Sequence, residues 1–280
     1  MFGFFTPIRA CLKVQLQGYP LHGPASSGNA KLIKYLIENH KKYIDINEYQ
    51  YGMTPLHCAL YDNHYVSMAV LLDHGASPSL KVEGARNWSS LHSAIHREEY
   101  SAIRLLLAYG ASLTVKDKHG HTPAFYVNNR IEFNEQGKAI LNPVNKPVLQ
   151  HLIQETLAIK KQLDTYNHHL KQALERQDHP YAARCYKGVA EQWQRLGEQE
   201  GHNDMRKFYF HKALGFYQKA SNYDANIGVK EQIAYLQQWL PLIDPKTRKT
   251  NYSLPQAQIS ANHDTEAATT ENTSLLACPS

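Results

Sequence analysis

A short motif that recurs at a nearly constant interval constrains the fold of this chain more than any other feature. The run T-P-L-H at 54–57 has a counterpart, S-S-L-H at 89–92, 35 residues later, and T-P at 122–123 follows after a further 33. Y-P-L-H at 19–22 precedes the first run by 35 residues. Self-similarity at a fixed period of this size predicts a stack of similar units, each packed on its neighbours.

A second signal keeps the same phase. "VLLDHGAS" at 70–77 matches "LLLAYGAS" at 105–112, and "YLIENH" at 35–40 fills that slot in the first copy. Thr54 is a good helix N-cap, and Pro55 then falls at the first helical position. His57 is placed to reach back to Thr54 as Glu does in a capping box. The motif therefore predicts a capped helix followed by a second helix, which ends at Gly75 in the second copy and at Gly110 in the third, while the first copy has His40 in that position.

A period near 33 with T-P-L-H-x-A resembles the ankyrin repeat, over about residues 19–130. The resemblance implies two antiparallel helices and a hairpin-like finger in each repeat. Pro24 lies within the first helix of the first copy and should distort it. The fourth copy departs from the pattern in "AFYVNNRIEFNEQG". We interpret the outer copies as degenerate caps, with 1–18 as an N-terminal cap segment and 19–142 as the repeats.

After about residue 143 the spacing of apolar residues becomes that of longer helices. "KPVLQHLIQETLAIKKQLDTYNHHLKQALERQ" predicts one long helix, whose start is a candidate to complete the last ankyrin unit. Further helices are predicted over about 181–199, over about 205–222, and up to about 239. They are separated by "DHP", "GHND" and "DANIG", and no strand is expected among them. We assign 143–244 to a helical C-terminal domain.

Part of this region resembles a tetratricopeptide repeat. Trp193-x-x-Leu196-Gly197 is similar to the first helix of that family, and Ala213-x-x-x-Tyr217-x-x-Ala220 to the second. Glu200 stands where the family usually has Tyr. The predicted fold class is thus all-α, with an ankyrin solenoid of about four repeats followed by a helical-hairpin bundle or solenoid. The polar stretch 245–280 is predicted to be a disordered tail.

Composition narrows the class of protein. The chain has 280 residues, 42% of them hydrophobic, and a formal net charge of +5 with its basic residues dispersed. No apolar run approaches transmembrane length, and the N-terminal stretch lacks the order of a signal peptide. The four cysteines are scattered, at 11, 58, 185 and 278, which favours a reducing compartment such as the cytoplasm. We therefore predict no membrane span and no nucleic-acid partner.

Candidate catalytic groups are few. His57 and Cys58 are adjacent, so on a helix they point about 100° apart and form no dyad. Cys185, with His179 or His202 as its base, is the better nucleophile candidate, although no local signature accompanies it. No metal-ligand spacing or phosphate-binding glycine loop is present in the sequence. We predict a protein that is not an enzyme and has no cofactor or metal; an enzyme with its chemistry around Cys185 is the alternative.

The expected function is the binding of a partner protein. In the resembled ankyrin family, partners lie against the finger tips and the exposed face of the first helices. Those positions hold Tyr49, Tyr51, Met53, Tyr61, Asp62, Arg86, Trp88, His96, Arg97, Lys116, Lys118, His119 and His121. Trp88 and Arg97 are expected to be largely exposed anchors, with packing between fingers as the alternative for Tyr51 and Trp88. The mixture of aromatic and basic groups suits a partner with acidic patches.

The biological setting follows only from composition. A chain rich in His, Asn and Gln, with degenerate repeats and the tail "TEAATTENTSLLACPS", resembles the ankyrin-bearing effectors that intracellular bacteria deliver into the host-cell cytoplasm. A eukaryotic ankyrin scaffold is the alternative setting. The identity of the partner and the oligomeric state stay open.

Overall fold

A computed structural model describes residues 20–84, 86–133, 139–143 and 146–243. The predicted N-terminal cap segment, 1–18, and the predicted polar tail, 245–280, lie outside the described residues. The described residues begin at Pro20, within the first copy of the repeated motif, and include the helix of all four copies.

The first three copies each form a pair of short helices, as the motif predicts. The first copy contains α1, His22–Ser26, and α2, Ala30–His40, followed by a 3-10 turn at Lys41–Tyr43. The second contains α3, Pro55–Tyr61, and α4, Tyr65–Asp73. The third contains α5, Ser90–Arg97, and α6, Tyr100–Ala108. The first helix of the first copy has only five residues and contains Pro24, which agrees with the predicted distortion.

The ends of these helices follow from local chemistry. Thr54 and Ser89 are extended residues at the N-caps of α3 and α5, and each forms a capping box with the histidine three residues later. Gly75 and Gly110 follow α4 and α6 with φ of +95° and +84°, a conformation that glycine adopts with little strain. The sequence pattern therefore identified both ends of the helix pairs.

The fourth copy is the place where the fold departs from the predicted pattern. Its first helix, α7, covers Pro123–Asn128. An antiparallel pair of strands then follows, β1 over Asn129–Phe133 and β2 over Ala139–Pro143, with Ile131 opposite Leu141. Strand β1 lies within 124–137, the stretch where the repeat pattern decays, and β2 lies just after it. Its presence explains why the ankyrin pattern disappears there.

Four longer helices complete the described chain. They are α8, Pro147–Glu175, α9, His179–Glu198, α10, Asn203–Tyr223, and α11, Lys230–Ile243. Each predicted helix is present, with ends within about four residues of those expected. Helices α9 and α10 pack closely as a hairpin. Gly197 permits this approach, because a Cβ atom there would lie 2.4 Å from the ring of Phe210.

The helices are arranged in two rows. The first helices α1, α3, α5 and α7 pack in sequence, and so do the second helices α2, α4 and α6. Helix α8 packs against α6 and so takes the second-helix position of the fourth unit, as the sequence suggested. Helix α10 folds back onto α4, and one continuous cluster of buried hydrophobic residues extends from the repeats into α10 and α11. The C-terminal helices therefore cover the second-helix face of the stack.

Two polar clusters also fasten the C-terminal helices to the repeats. The carboxylate of Glu200, in the turn after α9, is 1% exposed and accepts hydrogen bonds from Arg104 at 2.9 Å and from the Ser101 hydroxyl at 2.7 Å. The ammonium group of Lys212 contacts Asp73 and lies 4.4 Å from the ring centroid of Trp193. A buried charge is costly unless it is paired, and here each of these charges of the C-terminal helices has its partner in the repeats. These pairs therefore hold the C-terminal helices against the repeats.

The predicted fold class is confirmed. The described structure is predominantly α-helical, with ankyrin repeats first and further helices after them; the single strand pair is the exception noted above.

Candidate partner-binding surface

The surface predicted to bind a partner is built on a row of buried histidines. Nδ1 of His57 accepts hydrogen bonds from the backbone N–H and the hydroxyl of Thr54, at 3.2 and 2.9 Å. His92 makes the same pair of contacts with Ser89, at 3.2 and 2.8 Å. Since Nδ1 accepts from an N–H group, the ring is neutral and its proton lies on Nε2. This arrangement leaves Nε2 free to donate across to the next finger.

Nε2 makes that crossing bond in two of the three histidines. His22 donates to the carbonyl of Met53 at 3.0 Å, and His92 donates to the carbonyl of His121 at 3.2 Å. Nε2 of His57 is buried without a hydrogen bond, although the carbonyl of Leu80 is near enough to act on the ring. His92 therefore makes the predicted tie between repeats as a hydrogen bond, whereas the His57 ring only lies near the Leu80 carbonyl of the next finger.

The pKa of both rings reflects their burial. Burial lowers the pKa of His57 to about 4, against the opposing effect of the Leu80 carbonyl. Burial also lowers the pKa of His92, and the carbonyl of His121 and the Asp117 carboxylate only partly offset this effect. Both rings stay neutral near pH 7, which preserves the hydrogen bonds that position the fingers.

Asp117 organises the third finger. Its carboxylate accepts hydrogen bonds from the backbone N–H groups of His119 and His121, at 2.8 and 2.9 Å, and from the hydroxyl of Tyr126 at 2.6 Å. The indole N–H of Trp88, from the neighbouring finger, donates to it at 3.2 Å. Burial alone would raise the pKa of Asp117, but these hydrogen bonds hold it below its usual value. Asp117 is not among the residues predicted from the sequence, although an Asp before a Gly turn in "KDKHGH" is a turn signature.

The expectation that Trp88 is largely exposed is wrong. Its side chain is buried, with 7% of the residue exposed, between the ring of His96 at 4.9 Å and that of Tyr126 at 5.4 Å. The guanidinium of Arg86 lies over the indole ring at 4.5 Å. Because its indole also donates to Asp117, Trp88 joins two fingers. Trp88 therefore packs between fingers, which was the alternative prediction for this residue.

Arg97 is exposed but already bonded. Its guanidinium donates to the carbonyl of Tyr61 at 3.2 Å and to the side chain of Asn63 at 3.0 Å, and it pairs with Glu99 at 2.7 Å. It also lies 5.7 Å from the ring centroid of Tyr61. Arg97 therefore connects the C-terminal end of α5 to that of α3. A partner that binds its guanidinium would have to replace these contacts.

The other predicted residues divide into two groups. Those partly buried within the repeats are Tyr49, whose hydroxyl donates to the carbonyl of Lys81 at 2.9 Å, Met53, Arg86, His96 and His121. Those exposed to solvent are Tyr51, Tyr61, Asp62, Lys116, Lys118 and His119. Tyr51 is 93% exposed, more than any other large hydrophobic residue in the described part of the chain. Its position at the end of the first finger makes it available to a partner without any rearrangement.

The alternative nucleophile lies in a different environment. Cys185 is 2% exposed and packs in a small cluster with Leu170, Ala173 and Ala182. Burial raises the pKa of its thiol, which reduces the fraction of reactive thiolate. Of its two candidate bases, the ring of His179 packs on Tyr223 and that of His202 on Tyr65. Neither ring is engaged with the thiol, so this arrangement lacks the contacts of an activated cysteine.

The described residues contain neither a metal-binding cluster nor a helix suited to cross a membrane. Within these parts of the chain, no group of three or more His, Cys, Asp or Glu side chains is placed to hold a metal ion. None of the helices in the described ranges combines the length and the apolar character that crossing a bilayer requires.

Comparison with known families supports the first half of this picture. Residues 8–82 match the family model for ankyrin repeats, in three copies. No curated protein matches the chain. The match covers the first two motif copies, while the third and fourth rest on the motif and on the packing of α5 to α8. Residues 8–82 are thus similar to ankyrin repeats, a family of protein–protein interaction modules.

Proposed function

We propose that this protein binds a partner protein through its finger tips and the exposed face of its first helices. The observation that carries the proposal is the position of the C-terminal helices. Helices α8 and α10 pack on the second-helix row, through α6 and α4. Within the described residues, the opposite side of the stack keeps exposed side chains, among them Tyr51, Lys116 and Lys118.

The chemistry of the exposed residues favours a partner that is acidic near the third finger. Lys116, Lys118 and His119 are exposed on that finger, and the carboxylate of Asp117 is turned inward to four donors. The finger therefore presents positive charge outward, and complementary charge on a partner would speed association. Tyr51 adds a rigid aromatic anchor at the first finger.

Substitution of Tyr51 tests the anchor. A pull-down from a host-cell lysate, followed by mass spectrometry, would supply the partner for titration. Tyr51→Ala should weaken its affinity about tenfold, the effect of losing a moderate hot spot. The control is Tyr35→Ala, since Tyr35 is also exposed, at 54%, but lies on the second helix α2. Equal affinities for the parent and both variants would place binding elsewhere.

Charge reversal tests the third finger. Lys116→Glu with Lys118→Glu should slow association several-fold at low salt and leave the dissociation rate nearly unchanged. The matched control is Lys161→Glu with Lys171→Glu, because both of these lysines are exposed on α8. Stopped-flow or surface-resonance kinetics at two salt concentrations would measure the effect. If only the α8 pair slows association, the C-terminal helices carry the site and the repeats act as a scaffold.

We further propose delivery into a host cell as the setting, on the basis of composition and the tail sequence. The tail, 245–280, lies outside the described residues. Removing it should abolish translocation of a reporter fusion by a bacterial secretion system and leave the melting temperature within about a degree or two. Normal translocation of the truncated protein would remove this proposal and leave the eukaryotic scaffold as the setting.

A further inference from the structure

A cavity of about 310 Å³ lies where the repeats meet the C-terminal helices. Its wall includes His64, Tyr65 and Ser67 from the start of α4, and His202 and Asp204 from the start of α10. The rings of Tyr65 and His202 meet edge to face, with their centroids 5.4 Å apart. This cavity is separate from the fingers and from the surroundings of Cys185.

Two helix N-termini meet at this cavity. Helices α4 and α10 both begin there, and neither N-cap side chain accepts a hydrogen bond. The first backbone donors that bond within these helices are Met68, to the His64 carbonyl at 3.0 Å, and Arg206, to the His202 carbonyl at 2.9 Å. The N–H groups of the N-cap residues His64 and His202 bond to the Ala59 carbonyl at 2.8 Å and to the Glu200 carboxylate at 3.0 Å, whereas those of the three residues that follow each N-cap have no hydrogen-bond partner within the described residues. Such groups, together with the helix dipole, favour an anion.

Ser67 gives an independent indication of a ligand. This residue is 1% exposed and forms part of the cavity wall, yet its hydroxyl has no hydrogen-bond partner among the described residues. A buried hydroxyl that is left unpaired costs free energy, so most are paired in folded proteins. An oxyanion in the cavity would accept from this hydroxyl as well as from the backbone. The first turn of α4 contains no acidic side chain that could take its place.

We propose that this cavity binds a phosphate group, either as inorganic phosphate or as a phosphate monoester. The backbone N–H groups of the two helix starts, the Ser67 hydroxyl and the ring nitrogens of His64 and His202 supply donors around it. Several donors on one small anion match the acceptor capacity of phosphate oxygens. Three carboxylates oppose an anion here. Asp204 is exposed at the α10 terminus, Glu200 is paired with Arg104 and accepts a hydrogen bond from the N–H of His202 at 3.0 Å, and Glu99 lies beside Tyr65.

Because Asp204 opposes an anion and Ser67 favours one, changing each residue should shift the affinity for phosphate in opposite directions. Titration calorimetry of the full chain with inorganic phosphate, at constant ionic strength set by chloride, should show one saturable site. Ser67→Ala should raise the Kd about five- to tenfold, since it removes one buried donor. Asp204→Asn should lower the Kd about threefold, since it removes a repelling charge at a helix N-terminus. Because Asp204 is exposed, this second variant should keep the fold.

A remote histidine provides the matched control. His202→Ala should weaken phosphate binding about five- to tenfold, whereas His151→Ala should leave it unchanged. The side chain of His151 is 72% exposed on α8, away from the cavity. Circular dichroism of each variant would check the fold. The site would be ruled out by no saturable binding to the parent, or by equal binding in the Ser67, His202 and Asp204 variants.

Two ligands distinguish the sources of the phosphate group. Tighter binding of O-phosphoserine than of inorganic phosphate, with serine inactive, would identify a monoester as the ligand. The reverse order would identify free phosphate. Either ligand should also raise the melting temperature of the parent, because it would bridge α4 and α10 in the folded state only.

Discussion

His57 and His92 occupy equivalent positions in successive copies and share their contacts to the N-cap, but only His92 makes a hydrogen bond to the next finger. His92→Ala should therefore destabilise the protein by about 2–3 kcal/mol and His57→Ala by about 1–2 kcal/mol, as buried donors and acceptors lose their partners. Urea unfolding would measure both losses in the free energy of unfolding, if the same dependence of that free energy on urea concentration is used for every variant. Unchanged midpoints in both variants would show that these rings do not position the repeats.

The same histidines predict how stability depends on pH. Each ring has a pKa that is lower in the folded chain than in the unfolded chain. Their contribution is fully present above the unfolded value of about 6.5 and is lost as the pH falls toward the folded value. For His57, whose folded pKa is about 4, the loss over this window is about 3 kcal/mol. Urea midpoints from pH 7 to pH 4 should fall, and less steeply in His57→Gln.

Substitution of Asp117 should also lower the free energy of unfolding, by more than substitution of His57. Four donors from two fingers and α7 converge on its carboxylate. Asp117→Ala should cost about 2–4 kcal/mol, because it leaves several buried donors unpaired. The emission of Trp88 should also shift to the red as its indole loses its partner. A variant with parental stability and emission would mean that the finger is held by its backbone alone.

At the scale of elements, the strongest prediction concerns the contact of α6 with the turn after α9. The carboxylate of Glu200 and the guanidinium of Arg104 are both buried there. Glu200→Ala or Arg104→Ala should each destabilise by about 3–5 kcal/mol, because each leaves the other charge unpaired. Replacing both, as Arg104→Met with Glu200→Leu, should cost less than either single change. Additive losses in the double variant would show that the two charges act independently.

The whole molecule should unfold as one unit. Its buried hydrophobic residues form a continuous cluster from the repeats into the C-terminal helices, and α8 completes the row of second helices. Two reporters, one retaining only Trp88 and one retaining only Trp193, should therefore give coincident urea transitions. Two separated midpoints would mean that the repeats and the C-terminal helices are independent domains.

Much of the architecture could be read from the sequence, because the repeated motif specifies local structure at each position. A Thr or Ser cap, a Pro at the first helical position and a Gly after the second helix fix the ends of α3 to α6 through contacts within a few residues. The apolar spacing after residue 143 determined the later helices in the same way. The strand pair in the fourth copy was not predicted, although Arg130-Ile131-Glu132-Phe133 alternates polar and apolar residues as a half-buried strand does.

The candidate sites were less predictable, because exposure depends on neighbours that are distant in sequence. Residue type alone placed both Tyr51 and Trp88 on the fingers. Asp117 and Tyr126 contact Trp88 and bury it, whereas Tyr51 remains 93% exposed. The proposed phosphate cavity joins the start of α4 to the start of α10, which are more than 130 residues apart. The sequence by itself determined the repeats and their helices through local bonding. Only the folding of α8 and α10 back onto the stack decided which faces remain open.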